Sequence, residues 1–161
     1  LVAGNLPYYI TTPLCIRLLA SGLPIARMAL MVQQEAAARF FARPGGDAYG
    51  PLAVLIARAF HAREVMRLPP SAYYPQPGVH SSVVLLTGDA ARVERGLPAF
   101  LAGIFNMRRK TLLNNLQGMG FAREEALHAL GEASISPGLR AEALPPEALF
   151  ALFYAVGKLR S

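Results

Sequence analysis

Cysteine is almost absent from this chain of 161 residues, and tryptophan is absent altogether. The single cysteine, Cys15, excludes an internal disulfide framework and is consistent with a reducing compartment. No run approaches the roughly 20 apolar residues that a membrane-spanning helix needs, and no signal peptide opens the chain. The sequence therefore predicts no association with a membrane.

Several motifs of enzyme chemistry are also lacking. The three histidines, His61, His80 and His128, do not have the spacing of metal ligands, so no metal site is predicted. Neither a Ser-His-Asp signature nor a phosphate-binding loop nor a pair of carboxylates is present. A Gly-x-Gly-x-x-Gly loop is missing too, and in a nucleotide-dependent fold we expect it upstream of residue 1. The first residues, Leu1 to Ala3, are typical of a buried strand, which favours the downstream part of a longer protein.

Lysine is scarce, although the chain is basic. Lys and Arg together number 16 against 10 acidic residues, a net charge of +6, and Lys110 and Lys158 are the only lysines. Such a charge favours an anionic partner. Guanidinium groups bind phosphates and stack on bases, which suits RNA. A GC-rich genome or a heat-adapted surface explains the composition equally well.

Apolar periodicity divides the chain into an α/β portion, residues 1–88, and a helical portion, residues 89–161. The predicted strands are residues 1–3, 28–32, 62–68 and 82–87, and the predicted helices are residues 12–20, 33–41, 51–59, 123–130 and 146–158. Alternating strands and helices followed by a strand pair indicate an α/β layer whose last strand runs antiparallel. Between 100 and 116 the apolar residues recur at helical spacing, namely at Phe100, Leu101, Ile104, Phe105, Leu112, Leu113 and Leu116.

The loop after the first strand carries acceptors for an amine. Asn5 offers a side-chain carbonyl, and Leu6 offers a main-chain carbonyl that Pro7 holds in an extended direction. Tyr8 adds an aromatic face beside them. An exocyclic amine such as adenine N6 has two N–H donors, which two convergent acceptors and a stacking ring match. The segment resembles the Asn/Asp-Pro-Pro-Tyr loop of amino-methyltransferases, although Asn-x-Pro also marks ordinary turns.

A second aromatic loop follows the third predicted strand. Tyr73 and Tyr74 lie between prolines. Because the prolines restrict the backbone, the two rings form a rigid shelf that costs little entropy to order. With Tyr8, this shelf can sandwich a base. The alternative is that both rings cover the end of the sheet.

A basic run precedes two asparagines in the helical portion. Successive helical residues are about 100° apart, so Arg108, Arg109 and Lys110 are expected to contact a groove from a helix flank, with Asn114 one turn beyond. Such a run is commonly a solvated face. Phosphate contact is favoured here because no acidic residue lies between Leu97 and Phe121.

Five segments, in order, resemble the small-subunit ribosomal RNA adenine N6,N6-dimethyltransferase family. They are Asn5-Leu-Pro-Tyr-Tyr-Ile-Thr-Thr-Pro13, Met31-Val-Gln-Gln-Glu35 with Asp47-Ala-Tyr-Gly50, Pro69-Pro-Ser-Ala-Tyr-Tyr-Pro-Gln-Pro77, Phe105-Asn-Met-Arg-Arg-Lys-Thr-Leu-Leu-Asn-Asn-Leu116 and Arg140-Ala-Glu-Ala-Leu144. Each segment alone is weak, and their common order makes the resemblance strong.

The resemblance implies a fold and an activity. The fold is α/β, with a partial class I (Rossmann-like) methyltransferase sheet followed by a small all-helical domain. Residues 1–88 would be the C-terminal half of the methyltransferase domain, and residues 89–161 an RNA-binding domain. The implied activity is S-adenosylmethionine-dependent dimethylation of N6 of adjacent adenines in small-subunit ribosomal RNA, within ribosome biogenesis.

The resemblance also implies roles for individual residues. Asn5, Leu6, Pro7, Tyr8 and Tyr73 would form the catalytic site, with Asn5 also contacting the cofactor. Arg108, Arg109, Lys110 and Asn114 would bind RNA. The main S-adenosylmethionine site is expected upstream of residue 1, so this chain alone should not methylate. A monomer in the cytoplasm that acts on the small ribosomal subunit is expected.

Two other functions stay open. One is a related methyltransferase that acts on large-subunit ribosomal RNA and confers antibiotic resistance. The other is a non-catalytic RNA-binding module that assists ribosome assembly. Asn5, Pro7 and Tyr8 argue against the second for the parent protein, and the Arg-Arg-Lys-Thr-Leu-x-Asn-Asn motif favours the small-subunit enzyme over the first.

Overall fold

A computed structural model of the chain describes residues 1–159, apart from the side chain of Tyr8. Within these residues the backbone forms two compact units. The first comprises Leu1–Ala42 and Leu52–Arg95, and it contains the sheet. The second comprises Arg43–Pro51 and the residues from Gly96 onward, and its regular elements are helical.

Four strands of the first unit form one mixed sheet with the order β1-β2-β4-β3. Strand β1 (Val2–Asn5) runs parallel to β2 (Arg27–Gln33). Strand β4 (Ser81–Gly88) is antiparallel to both β2 and β3 (Phe60–Leu68). The α/β class and the antiparallel last strand are thereby confirmed.

One face of the two central strands forms the core of this unit. Met28, Leu30 and Val32 alternate along β2 with less buried residues, as the two-residue period of a strand requires. Met28 lies opposite Leu86 on β4, and Leu30 lies opposite Val84. Because these cross-strand pairs are fully buried, a shift of register by one residue would expose them all.

Gly88 ends β4 where the backbone of β3 approaches closely. A Cβ atom at Gly88 would lie 2.7 Å from the Cα of Phe60 and would also overlap the carbonyl of Ala59. The next residue, Asp89, donates its N–H to that Ala59 carbonyl at 2.9 Å. A side chain at position 88 would therefore push the two strand ends apart.

Three helices accompany the sheet, and one is shorter than predicted. They are α1 (Thr11–Leu19), α2 (Gln34–Ala38) and α3 (Pro51–Ala59). The prediction that the second helix continues to Phe41 was wrong, because the N–H groups of Arg39, Phe40 and Phe41 bond three residues back and close tight turns instead of helical bonds.

Four helices form the second unit, within the residues that the structure describes. They are α4 (Leu97–Ile104), α5 (Leu112–Gly118), α6 (Arg123–Glu132) and α7 (Pro146–Lys158). The seven apolar residues predicted from the helical spacing are all buried. Since Phe105 follows the end of α4 and Leu112 begins α5, the spacing spans two helices and the turn between them.

The segment Arg43–Pro51 packs within the helical unit. The N–H of Gly45 donates to the carbonyl of Glu142 at 2.7 Å, and the hydroxyl of Tyr49 donates to the carbonyl of Leu144 at 2.9 Å. The Tyr49 ring is buried and meets Phe105 edge-on, with ring centroids 5.9 Å apart. Apolar periodicity does not predict this grouping, because it depends on contacts nearly 100 residues apart along the chain.

Candidate active site and nucleic-acid interface

The predicted amine-binding loop begins at the carboxyl end of β1. Asn5 is the last residue of the strand, lies opposite Met31 in the parallel ladder and is exposed. The N–H of Leu6 donates to the carbonyl of Met31 at 2.9 Å, and the Leu6 side chain is buried. These contacts fix the loop to β2 while the amide of Asn5 faces solvent.

Pro7 connects this loop to the first helix. Its carbonyl accepts the N–H of Ile10 and the hydroxyl of Thr11, each at 3.2 Å. The 3₁₀ turn Tyr8–Ile10 and then α1 follow directly, so the loop is held at both ends. The side chain of Tyr8, which the sequence placed against the base, lies outside the described part of the chain.

Tyr73 reaches the same strand from the other loop. A 3₁₀ turn at Pro70–Ala72 follows β3, and the Tyr73 N–H bonds to the carbonyl of Pro70 at 3.2 Å. The half-buried Tyr73 side chain then donates its hydroxyl to Sδ of Met31 at 3.2 Å. Its neighbour Tyr74 is fully exposed.

Met31 therefore joins the two predicted loops, through its carbonyl to Leu6 and through its sulfur to Tyr73. Met31 has no role in the site that the sequence predicts. Met31 opens one of the segments that carry the family resemblance, which was the only indication available before its strand register was known.

The ends of parallel strands suit a ligand in this fold. Ligands of open α/β sheets bind outside the carboxyl ends of the parallel strands, and Asn5 closes β1 there. An exposed amide can both accept and donate hydrogen bonds to a cofactor or a base. The exposed amide of Asn5 at this strand end therefore has the donor and acceptor groups that S-adenosylmethionine would require of a neighbour.

Among the described residues, no group of three His, Cys, Asp or Glu side chains is placed to hold a metal ion. A membrane-spanning helix is not found in that part of the chain either, since its helices are too short or too polar.

The pKa of Glu64 on β3 is lowered because its carboxylate accepts hydrogen bonds from Arg67 and Ser82. These contacts form a structural ion pair.

The predicted basic run lies in a turn of the second unit. Residues 105–110 connect α4 to α5 outside any helix, so the expected helical spread of Arg108, Arg109 and Lys110 was wrong. Thr111 caps α5 by accepting the N–H of Asn114 at 3.4 Å, and all three basic side chains are exposed. A turn can present adjacent side chains on one side, which a helix cannot do for three consecutive residues.

The Arg108 side chain already has two hydrogen-bond partners within the helical unit. Its Nε lies 3.0 Å from Oε1 of Glu142, and its Nη1 donates to the carbonyl of Asp47 at 3.1 Å. The Arg108 side chain nevertheless keeps 52% of its surface exposed. It therefore links the turn to the segment Arg43–Pro51 while remaining accessible to a phosphate.

A cleft of about 340 Å³ lies beside this turn, within the helical unit. Its lining combines three arginines with two acidic residues and a glycine-containing backbone, namely Gly45, Gly46, Asp47, Arg108, Arg109, Arg140, Glu142 and Ala143. Arg140 has no role that the sequence predicts. Its position places a third guanidinium next to residues 105–110, which we call the basic turn.

Asn114 and Asn115 differ although they are adjacent. Asn114 is exposed near the start of α5, as a nucleic-acid contact must be. Asn115 is buried and hydrogen-bonds to the backbone of Met107 inside the basic turn. The RNA contact of Asn114 stays a prediction, and the sequence predicts no role for Asn115.

A parallel strand pair, with the Asn5-Leu-Pro loop at the carboxyl end of β1, continues into antiparallel strands as part of a Rossmann-like α/β domain does. The chain belongs to the ribosomal RNA adenine dimethylase family, whose model matches residues 1–156.

Named relatives agree with this assignment. The chain is 41% identical over 151 residues to ribosomal RNA small subunit methyltransferase A of Moorella thermoacetica, covering 91% of this chain and 52% of the relative. Identity to the protein of the same name from Rubrobacter xylanophilus is 43% over 154 residues, covering 94% and 58%. The chain thus spans about half the length of the curated relatives that it matches.

Solved structures show the same fold. A dimethyladenosine transferase from Plasmodium falciparum superposes with a TM-score of 0.82 at 21% identity, covering 97% of this chain and 67% of that one. The 23S rRNA methyltransferase ErmE gives a TM-score of 0.60 at 22% identity, with coverages of 96% and 64%. At these identities the superpositions support the Rossmann-like fold alone.

Proposed function

We propose that the protein containing this chain dimethylates N6 of adjacent adenines in small-subunit ribosomal RNA. The observation that carries the proposal is the meeting of the Asn5 loop and Tyr73 on Met31, in a chain of the ribosomal RNA adenine dimethylase family. In this proposal residues 1–88 contribute the target-base site, and residues 89–161 bind RNA.

Asn5 and Leu6 act on the target amine. The N6 lone pair of adenine is delocalised into the ring, which makes N6 a poor nucleophile. Hydrogen bonds from its two N–H groups to Oδ1 of Asn5 and the carbonyl of Leu6 favour a pyramidal nitrogen with its lone pair free. Such acceptors are most effective in a site that excludes water.

Stacking residues hold the base in place. The target adenine has to leave its stack to enter the site, as in other enzymes that modify bases. Tyr73, whose hydroxyl is fixed to Met31, supplies one aromatic face, and Tyr8 supplies the other. Positioning of this kind accounts for a large part of the rate in a transfer that needs no strong general base.

S-adenosylmethionine, when bound, supplies an electrophilic methyl group. Asn5 would contact it from the carboxyl end of β1, and its remaining contacts would come from outside this chain. We therefore propose that this chain alone binds RNA without methylating it.

RNA contact is assigned to the basic turn. Arg109, Lys110 and Asn114 are exposed, and Arg108 has accessible surface beyond its pair with Glu142. A ribosomal substrate also supports action in the cytoplasm on the small ribosomal subunit. The monomeric state stays a prediction from the sequence.

The decisive experiment measures transfer of labelled methyl from S-adenosylmethionine to unmethylated small ribosomal subunits. It compares the 161-residue chain, the complete gene product and the complete product with Asn5→Ala. We expect transfer only by the unmutated complete product, with subunit binding retained by all three. Binding without transfer by that product would contradict the proposal and favour a ribosome-assembly factor.

A further inference from the structure

We propose that Asn115 is a positioning residue that holds the basic turn, residues 105–110, in the form that presents Arg109 and Lys110 to RNA. This inference rests on the proposed function, because it concerns the same RNA contact. It assigns the effect to a buried, uncharged side chain that cannot itself touch RNA.

The side-chain amide of Asn115 hydrogen-bonds to the backbone through both its oxygen and its nitrogen. Its side chain is 2% exposed, and its Oδ1 accepts the N–H of Met107 at 3.1 Å. Its Nδ2 donates to the carbonyl of Met107 at 3.3 Å and to the carbonyl of Thr111 at 3.2 Å. One amide therefore satisfies both backbone groups of Met107, which fixes the direction of the chain entering the basic run.

The turn needs such a clamp. After Phe105, whose N–H still makes a helical bond to the carbonyl of Leu101 at 3.1 Å, the N–H of Asn106 bonds to the carbonyl of Gly103 at 3.2 Å and the N–H of Lys110 bonds to the carbonyl of Met107 at 2.9 Å. These bonds span three residues, so they close tight turns instead of continuing the helix. Three adjacent cations repel one another, and this repulsion favours a more open backbone. Because the Met107 carbonyl accepts from both Lys110 and Asn115, loss of the Asn115 amide weakens the point around which the turn closes.

The ends of the turn are already fixed. Phe105 and Leu112 are buried on either side of it, and the N–H of Leu112 donates to the carbonyl of Leu139 at 2.8 Å. Truncation of Asn115 is therefore expected to free the middle of the turn, which carries the charges, without releasing the two helices.

The salt dependence of RNA binding separates this role from general stability. Each phosphate that a cation neutralises contributes nearly one unit to the slope of log affinity against log salt concentration. Asn115→Ala removes no charge, so it lowers the slope only if the remaining charges lose their phosphates. We expect a fall of about one unit or more, as for direct loss of a phosphate contact.

The experiment titrates a small-subunit ribosomal RNA transcript with the 161-residue chain at several salt concentrations. The variants are Asn115→Ala, the milder Asn115→Ser, the double variant Arg109→Ala with Lys110→Ala, and two controls on α5. Gln117→Ala removes an exposed amide, and Leu116→Ala removes a buried apolar side chain. Hydrogen exchange at the Met107 amide reports directly whether the clamp is lost.

Asn115→Ala and Asn115→Ser should accelerate exchange at Met107 and lower the salt slope toward that of the double variant. Added to the double variant, they should lower it no further, while both controls keep the original slope. An unchanged slope in the Asn115 variants, or an equal fall in Leu116→Ala, would overturn this inference alone. An unchanged slope in the double variant would instead overturn the proposed RNA contact, and this inference with it.

Discussion

The hydroxyl of Tyr73 lies 3.2 Å from Sδ of Met31 and donates to it. Since the Met31 carbonyl holds Leu6 at the same time, one residue of β2 positions both loops of the proposed base site. A thioether is a weak acceptor, so this contact orients the Tyr73 ring more than it stabilises the fold.

Two substitutions of Tyr73 should distinguish the contribution of its aromatic ring from that of its hydroxyl. Tyr73→Phe keeps the aromatic face and should retain kcat/KM for unmethylated small subunits within about threefold. Tyr73→Ala loses a stacking contact worth about 1–3 kcal/mol, so kcat/KM should fall roughly 5- to 150-fold. Tyr74→Ala, a matched change at the exposed neighbour, should have little effect, and an equal loss there would refute a specific role for Tyr73.

Asn5 should be sensitive to the loss of its acceptor oxygen. In the complete gene product, Asn5→Ala should lower kcat by about 100-fold or more, as the loss of one aligned polar group in an active site does. Asn5→Asp keeps an acceptor and should retain more activity than Asn5→Ala. RNA affinity measured in parallel should be unchanged in both, and a parallel loss of binding and turnover would contradict the assigned role.

Glu142 should moderate the affinity for RNA. Glu142→Gln keeps an oxygen for Arg108 but removes a negative charge beside the basic turn. We expect tighter RNA binding and a salt slope steeper by up to about one unit, because no carboxylate then balances the charge of Arg108 and that charge can neutralise a phosphate. Glu124→Gln, an exposed change on α6, is the matched control. Equal effects of the two would mean that only net charge matters.

Sequence patterns predicted most of the fold because its elements obey local rules. Helices α3 and α7 begin at prolines, Pro51 and Pro146, which are suited to a first helical turn, and both have the predicted bounds. Sequence patterns wrongly predict a helix at the basic turn, because apolar spacing continues across it from Phe105 to Leu112. The clamp from Asn115 depends on tertiary packing, which no local pattern reveals.

The sequence predicts the two loops of the proposed base site but not the contacts that join them. The Asn5 and Tyr73 loops each have a recognisable composition, and the structure places both against β2. Their common partner, Met31, follows from the register of β1 on β2, which depends on long-range pairing. Arg140 and Asp47 line the cleft beside the basic turn although they lie about 30 and 60 residues from Arg108 in sequence, so no local pattern predicts them.

Cys15 should be chemically inert in the folded chain. Burial raises the pKa of its thiol to about 12, so almost no thiolate is present at pH 8. A disulfide reagent should therefore label the native chain only as fast as the first unit opens, and should label it at once in denaturant. Tyr9→Cys on a Cys15→Ala background supplies an exposed control thiol. Equally rapid labelling of the two native proteins would show that Cys15 is accessible.

Ionisation of Tyr49 should make the stability of the helical unit depend on pH in the alkaline range. Burial, followed by the nearby charge of Glu147, raises the pKa of its hydroxyl above the usual value of about 10. Between these two pKa values only the unfolded chain ionises this group. The stabilising contribution is therefore complete below about pH 10 and is lost as the pH rises, by up to about 1.4 kcal/mol per pH unit.

Tyr49→Phe removes both this linkage and the hydrogen bond to the carbonyl of Leu144. The free energy of unfolding at pH 7 should fall by about 1–3 kcal/mol, because a buried carbonyl loses its partner. Above pH 10 the variant should lose stability less steeply than the unmutated chain, as measured by urea unfolding followed by circular dichroism. Tyr9→Phe, at an exposed tyrosine, controls for the loss of one phenol. Parallel pH profiles for Tyr49→Phe and the unmutated chain would show that the Tyr49 hydroxyl ionises as readily in the folded state as in the unfolded state.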